Sequence, residues 1–128
     1  MYEFENIKWK VFLKANSEKS AKILISRICK NIKCEPCVKS IEKYWKDKSL
    51  YIVLFQTQLN ADSIKDAVFE TLKICGSISS HWNITTPSVY SNNKWEFNGT
   101  TNGTSLAGVE FMDFHVSNFT EESKDWAE

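Results

Sequence analysis

Apolar and polar residues alternate from Trp9 to Ala15, which sets Trp9, Val11 and Leu13 on one side of an extended segment and predicts a strand. Asn16 and Ser17 then offer helix caps, and Ala21, Leu24, Ile25, Ile28, Cys29 and Ile32 follow at helical spacing with lysines between them. The pattern predicts a first helix over Glu18 to Asn31. Pro36 stops any continuation, and Val38 to Lys46 reads as a strand of imperfect alternation. Asp47, Lys48 and Ser49 form a turn before Leu50 to Leu59, an apolar run suited to a central strand. Asn60 and Asp62 open a second helix with Ile64, Ala67, Val68, Leu72 and Cys75 on its buried stripe, and Gly76 stands where a left-handed cap belongs. Ile78, Ser80, Trp82 and Ile84 alternate with Ser79, His81 and Asn83, which predicts a fourth strand.

The order β-α-β-β-α-β, closed by right-handed crossovers, predicts an α+β domain of ferredoxin-like plan, a four-stranded antiparallel sheet with two helices on one face. A C-terminal β extension follows. Residues 85–93 read as a loop, Trp95 to Phe97 as a short strand, Asn98 to Ser105 as a turn-rich connector, and Gly108 to Ser117 as a last strand with a bulge near Met112. Residues 1–128 are expected to form a single domain, with a core over roughly 7–118 and an acidic tail over 119–128.

Composition adds a dense core: five Trp and eight Phe supply enough bulk that neither disulfides nor a metal is needed for folding. The net charge is zero, which disfavours a nucleic-acid binder that relies on phosphate neutralisation. The charge is unevenly spread. Residues 1–50 hold 12 basic and 6 acidic side chains, whereas residues 51–128 hold 4 and 10. The opening MYEFENIKWKVF lacks the basic region and apolar run of a signal peptide, and no stretch is long enough to span a membrane. A cytoplasmic location with reduced thiols is expected.

Cys29, Cys34 and Cys37 have the spacing of a plant-type iron–sulfur loop, with Cys75 as a distant fourth. Cys29 and Cys75, however, fall on the apolar faces of the two helices, where a thiol serves as a small core residue. No metal and no cofactor is expected. Cys34 and Cys37 form a CxxC that follows a helix instead of opening one, which leaves a thiol redox protein as one alternative. A small-ligand- or RNA-binding regulatory domain is another. Val11 to Asn16 resembles the first-strand signature of an RNA-recognition motif and Phe12 could stack a base, but Tyr51 to Phe55 lacks the basic residue and glycine of that motif's third strand. No nucleophile elbow or phosphate-binding glycine loop is present, so an enzyme is not expected. Asp113 and His115 lie two apart on one strand face. Together with Glu96 and Glu110 they mark an acidic patch for a basic partner.

The elements Tyr44-Trp45-Lys46-Asp47, Trp82 to Pro87, Trp95 to Gly99 and Leu106 to Val116 resemble a group of bacterial immunity proteins of polymorphic toxin and contact-dependent growth inhibition systems, over roughly residues 40–118. The resemblance implies a cytoplasmic protein that binds one cognate toxin domain, often a nuclease, and occludes its active site. It implies no cofactor, no catalytic residues, no nucleic acid and no membrane. On charge and placement, Glu96, Glu110, Asp113 and His115 are the expected partner-binding residues.

Overall fold

The computed structural model describes residues 2–90 and 93–119. Seven strands form one antiparallel sheet, and two helices pack on it. Strand β1 (Phe4–Lys14) leads to helix α1 (Glu18–Ile32), then β2 (Cys37–Lys43) and β3 (Leu50–Ala61). Helix α2 (Ile64–Gly76) follows, then the short β4 (Asn83–Ile84) and β5 (Ser88–Tyr90), and finally β6 (Lys94–Thr101) and β7 (Val109–Ser117). The order across the sheet is β2-β3-β1-β7-β6-β4, with β5 also paired to β6.

Alternation on the central strands separates two faces. Ile7, Trp9, Val11 and Leu13 of β1 are buried, as are Val53 and Phe55 of β3 and Met112, Phe114 and Val116 of β7. Against them pack the predicted stripe of α1, Ala21, Leu24, Ile25, Ile28, Cys29 and Ile32, and from α2 Ala67, Thr71 and Cys75. Of the stripe expected on α2, Ile64 and Val68 are only partly buried and Leu72 is exposed, Thr71 facing the core instead. Trp9 anchors this core. It stacks on Phe55, meets Phe114 edge-on, and its indole Nε1–H donates to Thr57 Oγ1 at 2.9 Å, both groups being buried.

Both helices begin on serine caps. Ser17 Oγ accepts from the Ser20 N–H, and Ser63 Oγ accepts from the Asp66 N–H. Helix α1 ends on Lys33 in the left-handed region at φ 59°, with Cys34 N–H bonded to Cys29 O. Gly76, expected as a left-handed cap, is instead the last residue of α2, and Ser77 caps that helix in a right-handed conformation.

The four-stranded plan read from the pattern is not the arrangement found. The strand beside β1, opposite β3, is β7, and the 78–84 segment contributes only Asn83–Ile84 at the far edge. Side chains take up the hydrogen bonds that a ladder would have made. Ser79 Oγ meets Thr101 Oγ1 and donates to Gly103 O, Thr101 Oγ1 donates to His81 O, and Trp82 Nε1–H donates to Cys75 O. Ile78 and Ser79 are consecutive and both buried, which no regular strand with one open face permits. Strand β6 runs through Asn98, Gly99 and Thr100, so that part of the expected connector is a strand. Gly99 is required there: a Cβ would meet Phe114 Cε2 at 2.6 Å and Ile84 Cγ1 at 2.9 Å. The loop expected over 85–93 contains β5. The acidic tail beyond Phe119, with Glu121, Glu122, Asp125, Trp126 and Glu128, lies outside the described residues.

Candidate partner-binding face

The helices cover one face of the sheet, and the strand alternation assigns a second set of residues to the other. Lys8, Lys10 and Phe12 of β1 lie opposite Gln56, Leu54 and Ile52 of β3 on one side, and opposite His115, Asp113 and Phe111 of β7 on the other. His115 and Asp113 in turn face Asn98 and Thr100 of β6. These side chains are partly accessible, where their neighbours in sequence are buried. The result is a face with an aromatic end and a charged end.

At the aromatic end, Phe12 is flanked edge-on by Tyr44 (5.1 Å between ring centroids) and Phe111 (5.6 Å). Lys10 Nζ lies 5.6 Å from the Phe12 centroid. Trp45, next to Tyr44, is 74% exposed, with Lys46 Nζ 5.1 Å from its ring. Edge-on packing at 85° and 86° sets the three rings into one another. They form an apolar boss, not a row of parallel plates for stacked bases.

At the charged end, Glu96 Oε1 lies 3.1 Å from His115 Nε2, and the Tyr90 hydroxyl donates to Glu96 Oε2 at 2.6 Å. The Tyr90 hydrogen bond, with the contribution of His115, holds the Glu96 carboxyl below the usual carboxylate range against the opposing effect of burial. Asp113 behaves in the opposite way. Burial pushes its carboxyl up, and the Lys10 charge across the strand pair offsets this only in part. Its Oδ1 is shielded from solvent and meets no hydrogen-bond donor among the described residues.

Three of the four expected site residues therefore share this face: Glu96, Asp113 and His115. Glu110 does not join them. It stands exposed where the β1–β7 register shifts between the Phe12↔Phe111 and Leu13↔Val109 pairs, as the extra residue of a bulge. Tyr90, Tyr44 and Phe111 escape a sequence reading based on charge. Phe12 alone carried a signal, through its place in the strand signature. The notion of a purely acidic patch also needs correction, because Lys8 and Lys10 stand among the acidic residues.

The cysteines separate by face. Cys29 and Cys75 are buried core residues whose thiols burial pushes up to about 12. Cys34 is half-buried with its thiol also raised, and it donates to Ile32 O at 3.4 Å beside α1. Cys37 is exposed and pairs with Gln56, which puts it on the opposite, helix-free side of the sheet. A raised thiol is the reverse of what an attacking cysteine needs. Among the described residues, no three His, Cys, Asp or Glu side chains gather to hold a metal. No described helix is long and apolar enough to cross a membrane.

Compared with known proteins, the chain matches no family model, no curated protein and no solved structure.

Proposed function

We propose that this chain is a protein-binding domain of the immunity type, which docks the helix-free face of its sheet on a single cognate toxin domain and blocks that domain's active site. The fold is read as a ferredoxin-like core in which the last strand of the extension stands in the fourth place. The order β2-β3-β1-β7, with helices after β1 and β3, supports this reading.

The observation that carries the functional proposal is Asp113. A carboxylate oxygen shielded from water and without a donor among the described residues is a cost to the folded chain. A donor from a partner would remove that cost on binding, once the half-buried side chain turns toward the docked surface. Around Asp113 the face has the make-up of an interface: the Phe12–Tyr44–Phe111 boss and exposed Trp45 as anchors, and the Glu96–His115 couple as a polar rim. A basic arginine or lysine of a nuclease groove fits Asp113 and Glu96. No cofactor or catalytic step is invoked.

The test is titration calorimetry and native mass spectrometry against the protein product of the adjacent gene. The wild type should form a one-to-one complex that weakens with salt. Phe12→Ala and Asp113→Asn should each weaken it at least tenfold, while Phe69→Ala, on the outer surface of α2, should leave it unchanged. A complex indifferent to both face variants, or no complex at all, overturns the proposal.

A further inference from the structure

A second surface lies at the opposite edge from β4, where β2 ends the sheet. No described strand pairs with the outer side of β2. Between this edge and α1 runs a groove of about 610 Å³, floored by Ile25, Cys29, Val38 and Ile41 and rimmed by Lys30 and Lys33.

Tyr44 N–H bonds to Leu50 O, and Glu42 and Ser40 pair with Ile52 and Leu54. Antiparallel alternation therefore turns the backbone of Glu42 and Ser40 inward to β3, and presents the N–H and C=O of Ile41 and Lys43 outward. The register shift between Val38 and Ser40 makes Lys39 the extra residue of a bulge. Its effect is to put Val38 and Ile41 on the same side, both lining the groove. Val38 is 43% exposed, an apolar side chain at a sheet edge that no described residue fully covers.

Charge then selects the occupant. Lys22, Lys30 and Lys33 surround the groove, with Lys39 and Lys43 on the edge strand itself, against Glu35 and Glu42. Lysines on an edge strand deter pairing with a neutral or basic strand. The same lysines favour a strand of opposite charge.

We infer that β2 and the groove beside α1 bind an extended acidic peptide segment of a partner protein, added to the sheet edge as a further antiparallel or parallel strand. Backbone hydrogen bonds to Ile41 and Lys43 hold the segment. Apolar side chains on one face of the segment enter the groove over Val38 and Ile41, and carboxylates flanking them on that same face meet Lys30 and Lys33. This surface is separate from the helix-free face, and the inference does not rest on the role proposed for that face.

The test uses the full chain, ¹⁵N-labelled, titrated with the eight-residue peptide Glu-Thr-Val-Thr-Val-Thr-Glu-Thr, which sets both glutamates and both valines on one strand face, and with the same peptide carrying lysine for glutamate. The glutamate peptide should shift the amides of Ile41 and Lys43 and the groove residues, with saturable, salt-weakened binding. Lys30→Glu combined with Lys33→Glu should weaken it at least fivefold. Ile41→Pro, which removes an outward N–H at an edge together with a groove-lining side chain, should abolish it while the amides of β1 and β7 stay in place. Equal binding of the lysine peptide, shifts confined to other regions, or no binding up to millimolar peptide would overturn the inference.

Discussion

Two buried threonines make the same substitution run in opposite directions. Thr57 on β3 is 2% exposed, and its Oγ1 accepts the hydrogen bond of the Trp9 indole N–H at 2.9 Å. Thr71 on α2 is fully buried, and its Oγ1 has no partner among the described residues. Threonine to valine is nearly isosteric, so neither change opens a cavity. Thr57→Val leaves the Trp9 N–H unpaired in the centre of the core, which should cost about 1–3 kcal/mol. Thr71→Val removes a hydroxyl that was desolvated without return, and should stabilise by about 0.5–2 kcal/mol. Intrinsic preference argues otherwise for the first site, since valine is at least as good as threonine in a strand. At the second site preference is nearly silent, because the two residues rank together in helices. Urea unfolding followed by tryptophan fluorescence separates these accounts: the midpoint should fall for Thr57→Val and rise for Thr71→Val, with the slope unchanged in both. A gain of stability in Thr57→Val would refute the hydrogen-bond argument, and so would a loss in Thr71→Val.

Four further outcomes follow from particular contacts. Asp113→Asn should leave stability unchanged or raise it by up to about 1 kcal/mol, because it removes a half-buried charge whose Oδ1 has no partner among the described residues; a clear loss in urea unfolding would show that the carboxylate has a structural partner. Glu96 has a lowered folded pKa, so its contribution is present above its ordinary value and is lost as pH falls through the lowered one; Tyr90→Phe should move the Glu96 titration upward in carbon-detected NMR. Gly99→Ala should destabilise by about 1–3 kcal/mol, because its methyl would strike Phe114, a ring already wedged against Trp9, Trp82 and Phe97; an unchanged thermal midpoint would contradict this packing. Lys33→Gly should stabilise by about 0.5–1 kcal/mol by relieving a left-handed residue at the end of α1, measured by the same unfolding assay.

Local rules were legible wherever one periodicity held across a whole element. The stripe from Ala21 to Ile32 places α1 to within a residue, and Ser17 caps it as its side-chain chemistry requires. Likewise Trp9, Val11 and Leu13 announced the inward face of β1, and the bulge in β7 showed as a break in its apolar register. Asp113 and His115 could be set on one face because they lie two apart on a strand.

Strand neighbours were another matter. Alternation says which way a side chain points, but not which strand lies alongside. The choice of β7 over the 78–84 segment beside β1 came from tertiary competition. Met112, Phe114 and Val116 offer β1 an unbroken buried row, whereas Ser79, Thr101 and Trp82 satisfy their polar groups by side-chain bonds off the ladder. That choice also brought Glu96 to His115 and left Glu110 out, and it set Asp113 against Lys10. The sequence by itself determined α1 with its Ser17 cap, the long strands and the two faces, since these depend on bonds and contacts a few residues long; it misplaced the caps of α2, which are Ser63 and Ser77, and missed β5. Only the tertiary structure decided the strand order, and with it the grouping of charges and rings, because those contacts join residues from 19 to about a hundred positions apart, where no local period reaches.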